Sequence, residues 1–433
     1  MSEPRRLHLN YFHSHSGSHE AAWRDPDAPA PGVALQLDHL ARVAQIAEAA
    51  CLDSIFLPHG MIATGLENSD FGFGLDPPIA LAAIAGRTGR IGLIGTASTT
   101  FSHPFDLAQR FSTLDHVSGG RAGWNMVTST TDDAARNFGL DSLPEHDERY
   151  ARAAEFVDTC LQLWDSWEDD AIVDDREAGV YADSSRVHRI GHAGAYYAVE
   201  GPLCVPPSPQ RYPLRVQAGA SDAGKDFAAR YADAVFSIAP DIEAARAFYS
   251  EMHKRTAAHG RPPGSVKVMP GLAFVLGDTE QDARAREREL QELVIPERGV
   301  GILEAFMGVA LDGCPLDGPV PELPDLASFK GGVARMRLLY EYVARERPTI
   351  RQLAGWFANQ IRGHGLFVGT AEQLADRLRE WLDTSAADGF NLLPPLMPGG
   401  LERFCAEVVP ILQERGLFRT EYTAATLREH YGV

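Results

Sequence analysis

The sequence predicts an α/β protein, a (β/α)₈ barrel of the TIM type with insertions. Three observations lead there. Short apolar runs alternate along the chain with longer stretches of helical periodicity, the pattern of parallel strands covered by helices. Eight such runs are found, the count that closes a barrel. The first run leads into FHSHSGSHEAAWRDP, which lacks the GxGxxG step of a doubly wound open sheet, the rival architecture.

In chain order the strand candidates are Leu7–Phe12, Ser54–Leu57, Ile91–Ser98, Ala122–Thr128, Leu214–Ala218, Ala234–Ala239, Val266–Leu276 and Gly389–Leu393. Helices fall between them. In Leu35–Ala50, the residues Leu37, Leu40, Val43, Ala44 and Ala47 recur at three- and four-residue steps. Glu148–Trp167 repeats the pattern with Ala151, Ala154, Phe156, Cys160, Leu163 and Trp164. One domain over residues 1–433 is expected, with insertions near 168–212 and 294–365, since long excursions from a compact fold are usually functional lids or subunit contacts. The closing TAATLREHYGV reads as a short helix docked on the body.

Composition narrows the function classes. The formal net charge of −19 disfavours phosphate-backbone binding, so no nucleic-acid partner is expected. Five scattered cysteines form no CxxC and read as reduced thiols of a cytoplasmic protein. No signal peptide or membrane span is expected from the pattern of apolar runs.

Active sites of such barrels lie at the C-terminal ends of the strands. After the first run stand His13, His15 and His19, which with His8 invite a metal reading. Their spacing matches no compact ligand motif, so a polar pocket rim or solvated loop histidines fit better, and no metal is expected. The third run ends in Thr96, Ser98, Thr99 and Thr100, hydroxyls suited either to a polar heteroaromatic ring or to the turn before Pro104. Asn125 interrupts an apolar strand and must find a partner in backbone or ligand. His146 and Tyr150 lie one turn apart near a helix start, where Asp147 is a candidate cap. That end suits a phosphate, although Tyr150 also reads as a packing residue. LRVQAG followed by ASDAGKDFAARYAD is a strand–helix step in which Ser221 or Asp222 caps the helix, a small-phosphate cradle without the Walker ending.

Together, GSHEAAWRDP, RTGRIGLIGTASTTFSHPFDLAQRFSTLDHVSGGRAGWNMVTS, HDERYARAAEFVDTCLQLWDSWEDDA, GPLCVPPSPQRYPLRVQAGASDAGKDFAARYAD and VGTAEQLADRLREWLDTSAADGFNLLPP resemble the luciferase-like flavin monooxygenases. The resemblance is to the branch of nitrilotriacetate monooxygenase component A, long-chain alkane monooxygenase and dibenzothiophene-sulfone monooxygenase. It implies a two-component enzyme that uses reduced FMN, supplied by a separate flavin reductase, and dioxygen to oxygenate or oxidatively cleave a small organic substrate. It also implies a homo-oligomer, dimer or tetramer. It places Thr96, His146, Tyr150 and Ser221 on the flavin or its phosphate and Asn125 in the flavin pocket. His59, standing where the family often has Asp, is expected among the cofactor-binding residues. His19 and Trp356 are the expected substrate-side residues. Two other readings stay open: a deazaflavin-dependent oxidoreductase of the same superfamily, and a non-catalytic flavin-binding protein.

Overall fold

The computed structural model describes residues 5–30, 32–63, 74–311, 313–325, 333–359 and 364–433. Eight parallel strands form the barrel: β1 His8–Phe12, β2 Ser54–Leu57, β3 Gly92–Ser98, β4 Ala122–Val127, β5 Leu214–Gln217, β6 Ala234–Ser237, β7 Lys267–Leu276 and β8 Gly389–Leu393. Each pairs with its predecessor, and β8 returns to β1 with His8 opposite Gly389 and Tyr11 opposite Leu392. All eight expected strands are present, trimmed by a residue or two at some ends. A further strand, Leu366–Gly369, pairs with the far end of β7 and was not expected. Its four residues fall between breaker-rich chain and the next helix, too short for a period to show.

Local chemistry sets the helix boundaries. Pro104 opens the helix Pro104–Ser118 and Gly119, in the left-handed region at φ 69°, ends it. Thr370 and Gln373 form a capping box at the start of Ala371–Asp383. The long helix begins at His146 with Glu145 as its N-cap, so Asp147 lies inside the first turn and is not the cap. There its charge still complements the helix dipole.

One large apolar cluster fills the layer between strands and helices. A second, with Phe56, Ile94, Leu214, Val216, Ala234 and Met269, belongs to the strands and includes Leu427 and Tyr431 from the tail. The tail helix Leu427–Tyr431 docks at the strands' N-terminal end. Tyr431 stacks on His8 at 4.7 Å and donates to Asn10 Oδ1 at 2.8 Å. Asp53 sits beside it. Burial alone would raise its carboxyl, but Arg419, His8 and the Leu9 N–H prevail and hold it at about 2.

The first insertion contains two small antiparallel ladders, Ile172–Asp175 with Val180–Ala182 and His192–Ala193 with Ala198–Val199. Glu155 ties the second ladder down, accepting from the backbone N–H of Ala195, Tyr196 and Tyr197. The second insertion carries the helices Pro296–Met307, Val333–Glu346 and Ile350–Asn359 around their own apolar cluster. Among the described residues, no helix is long and apolar enough to cross a membrane.

Candidate active site

Two concavities share the C-terminal mouth of the barrel. The first is a cavity of about 420 Å³ reached by the ends of β1, β2, β6 and β8. Phe12, Leu57, Phe236 and Leu393 give it apolar walls, and His13, His15, His59 and His364 face it. The second is a groove of about 370 Å³ along the ends of β4 and β5, with Met126, Thr128, Tyr150, Gln217 and Gly219 among its walls. His59 and Gly60 line both.

The groove ends in a cradle that its residues build locally. Ser221 caps the helix Asp222–Tyr231, its hydroxyl accepting from the Gly224 N–H at 3.1 Å. His146 Nε2 stands 3.1 Å from the same hydroxyl, and the His146 and Tyr150 rings are 5.0 Å apart. A Cβ added at Gly224 would lie 2.7 Å from Tyr150 Oη, and one at Gly219 would lie 2.8 Å from it. Only glycine leaves this step open between the tyrosine hydroxyl and the backbone. Gln217, whose Oε1 accepts from the Gly219 N–H at 2.7 Å, also shapes the step. Nothing in the sequence marks it, because a glutamine in a strand carries no motif.

Below the groove's lining on β4, β3 and β4 pair Thr96 with Asn125 in register, and neither residue lines the groove or the cavity. Asn125 Nδ2 donates to Thr96 Oγ1 at 3.0 Å, and both residues are buried. Asn125 Oδ1 is buried with no hydrogen-bond partner among the described residues. An unmet buried acceptor costs about 1–3 kcal/mol, so it reads as a position awaiting a donor. A ring with a polar N–H edge and a terminal phosphate fits the chemistry of these two features, an unmet amide oxygen for the edge and a helix end with hydroxyls for the phosphate.

The cavity depends on the first βα loop. Gly17 has φ 142°, and a Cβ there would lie 2.0 Å from the Pro395 carbonyl oxygen, so only glycine lets the loop lie against the β8 end. The Ser18 hydroxyl is 2.8 Å from the Leu393 and Pro394 carbonyls, fixing the same contact. His13 and His15 meet edge to face at 5.5 Å, and His364 stacks on Phe236 at 5.2 Å. Burial, with His15 and His39 adding to it, pushes the His13 imidazole down to about 3. Burial also lowers His59, against the opposing pull of Asp76.

The structure thus gathers Thr96 with Asn125, and His146, Tyr150 and Ser221 with one another, while His59 sits at the junction. Two expected residues lie elsewhere. His19 is fully buried, and its Nδ1 accepts from the Ala21 N–H at 3.2 Å within its own loop. Trp356 stacks face to face on Tyr342 at 4.0 Å inside the second insertion's cluster. Neither lines the cavity, because loop closure and helix packing claim these side chains first. His13, His15 and His364 take the cavity positions instead. The first two stood in the sequence as loop histidines of undecided role. The third had no signal beyond a lone histidine between glycines. Among the described residues, no group of three or more His, Cys, Asp or Glu is arranged to hold a metal ion.

Comparison with known proteins gives this geometry its class. Residues 12–388 match the family described as luciferase-like monooxygenase. The chain is 43% identical to N-acetyl-S-(2-succino)cysteine monooxygenase of Bacillus subtilis (strain 168), over 100% of this chain and 98% of that one. It is 40% identical to nitrilotriacetate monooxygenase component A of Aminobacter aminovorans, again over 100% and 98%. The crystal structure of riboflavin lyase with modified FMN and riboflavin superposes with a TM-score of 0.85 at 32% identity, covering 99% of this chain and 96% of that one. The chain belongs to the luciferase-like monooxygenase family. It is a flavin-dependent monooxygenase.

Proposed function

We propose that this barrel works as the oxygenating half of a two-component system. It takes FMN already reduced by a separate flavin reductase, and dioxygen, and oxygenates or oxidatively cleaves a small organic substrate. The observation that carries the reading is the glycine-lined cradle at Tyr150 and Ser221, at the same end of the barrel as the cavity, with the Asn125 oxygen unmet in the adjoining strand β4.

Each residue then has a task. Ser221 and the free N–H groups of its helix end bind the phosphate, with Tyr150 and His146 closing the other side. Asn125 Oδ1 accepts from the ring edge, with Thr96 holding the amide in place. His59, between groove and cavity, borders both ring and substrate. Phe12, Leu57, Phe236 and Leu393 exclude water from the reacting centre. When bound, the reduced flavin supplies the chemistry with dioxygen, and the protein supplies binding, orientation and insulation. The barrel and its insertions act as one unit in this reading. Exposed Val173, Val180 and Tyr181 on the first insertion support a homo-oligomer, and five free thiols support a cytoplasmic setting.

The test is oxygen uptake with FMN, NADH and a flavin reductase, run with N-acetyl-S-(2-succino)cysteine, nitrilotriacetate and dibenzothiophene sulfone as trial substrates. Each turnover is scored by product mass. Uptake coupled to an oxygenated product supports the reading. FMN binding without any product across a broadened substrate pool would leave a flavin carrier. Turnover with a deazaflavin and no oxygen would leave a dehydrogenase.

A further inference from the structure

Among the described residues that line the cavity, His13 is tied to the protein at one ring nitrogen and leaves the other unmet. It lies at the end of β1, 4% exposed, and it lines the 420 Å³ cavity. Its Nδ1 is 3.1 Å from the Tyr11 hydroxyl, which reaches the Ser14 carbonyl at 3.5 Å. Its Nε2 is buried with no hydrogen-bond partner among the described residues.

Proton bookkeeping along this chain assigns the tautomer. Tyr11 is fully buried, and burial raises its hydroxyl's pKa, so it keeps its single proton. A carbonyl only accepts, so the one arrangement that makes both contacts hydrogen bonds has Tyr11 donating to Ser14 and His13 Nδ1–H donating to Tyr11, leaving Nε2 as the unmet atom. The ring is neutral, since burial and the neighbouring His15 and His39 disfavour its cation. The proton is then on Nδ1, and Nε2 presents a bare lone pair. Histidine ring nitrogens take their roles from the bond the other nitrogen makes, and here that bond is supplied from within β1 itself.

We propose that His13 determines specificity at this cavity: its Nε2 accepts a hydrogen bond from an N–H or O–H group of the substrate. This rests on the cavity being the substrate's place. A molecule without a donor leaves the buried nitrogen unmet, and sites built this way discriminate strongly against analogues that lack the partner group. His13 is a specificity residue in this scheme and moves no proton.

Two measurements on the full-length chain test the proposal without flavin or turnover, so the proposed function and this inference fail separately. The first is ¹⁵N NMR of histidine-labelled protein, with His13→Gln identifying the His13 signals. The expected result is a neutral ring protonated at Nδ1 and unchanged between pH 5 and 8. An Nε2–H tautomer, or titration in that range, overturns the assignment. The second is binding of indole and N-methylindole, which share a frame and differ in one donor. Indole should bind about tenfold tighter and shift the His13 Nε2 signal. His13→Gln, which keeps an acceptor, should retain part of the preference, and His13→Leu should lose it. Equal affinities in the wild type, or failure of both probes to move the signal, overturns the proposal. Should the leucine variant not fold, the glutamine variant and the wild-type probe pair still decide.

Discussion

The groove and the cavity occupy one mouth but are made by different means. The groove's cradle is a product of neighbours in the chain. Gln217, Gly219, Ser221 and Gly224 span eight residues of one strand–helix step, and His146 and Tyr150 stand one turn apart on one helix. The cavity gathers His13, His59, Phe236, His364 and Leu393 from five separate stretches of chain. Burial disfavours the charged forms of His13 and His59 in the cavity, whereas the cradle is built from a helix end and hydroxyls. The difference separates two tasks. A site for a constant ligand group can be written as a local motif. A site for a variable substrate is assembled from side chains that each strand end can change independently.

The largest expected effect comes from filling the cradle. Gly224→Ala puts a methyl where the Tyr150 hydroxyl and the Gly219 backbone leave no room. FMN affinity should fall on the order of 100-fold, the loss of about two charge-assisted hydrogen bonds, as read by fluorescence titration. Indole binding in the cavity should stay unchanged. A parallel loss there would mean that groove and cavity are one site.

Ser221→Ala sharpens the same boundary. Removing one hydrogen bond to a charged phosphate costs roughly 1.5–3 kcal/mol, so FMN should weaken about 10- to 100-fold while riboflavin, lacking the phosphate, binds both proteins alike. The lost helix cap should lower stability by about 1 kcal/mol in denaturant melts. If riboflavin weakens as much as FMN, the residue serves only the helix.

The cavity should announce itself through pH. His13 is depressed from its ordinary 6.5 to about 3 in the folded chain, so below pH 6.5 the unfolded chain takes up a proton that the folded one refuses. Stability present above pH 6.5 should therefore decline as pH falls toward 3, with a slope approaching about 1.4 kcal/mol per unit from this group. His13→Gln should flatten that slope, as measured by urea midpoints between pH 7 and 5. An unchanged slope would show that His13 is solvated.

The smallest effect is expected at Trp356. Its stacking on Tyr342 places it in the insertion's own cluster, so Trp356→Phe should leave FMN affinity and KM within about twofold and cost roughly 1 kcal/mol of stability. A large rise in KM alone would bring the insertion back to the substrate.

Much of this was legible in the chain because the signals are local. Alternating apolar runs and helical periods marked the eight barrel strands to within two residues, since burial repeats at the period of each element. A cap at Ser221 or Asp222 and the glycines around it were readable because turn and cap chemistry depends on residues a few positions apart, and the structure chose Ser221. Asn125 stood out as a polar residue in an apolar strand, and its register opposite Thr96 follows from the parallel pairing of β3 and β4. The tertiary structure alone decided which histidines face the cavity. His13, His15 and His19 lie in one loop, and only the contact of Gly17 and Ser18 with the β8 end turns the first two toward the cavity while the third is buried in its own loop. Likewise, nothing near His364 or Trp356 in sequence says that one stacks on Phe236 and the other on Tyr342. Such facing is set by contacts between residues tens to hundreds of positions apart, and a one-dimensional pattern carries no term for them.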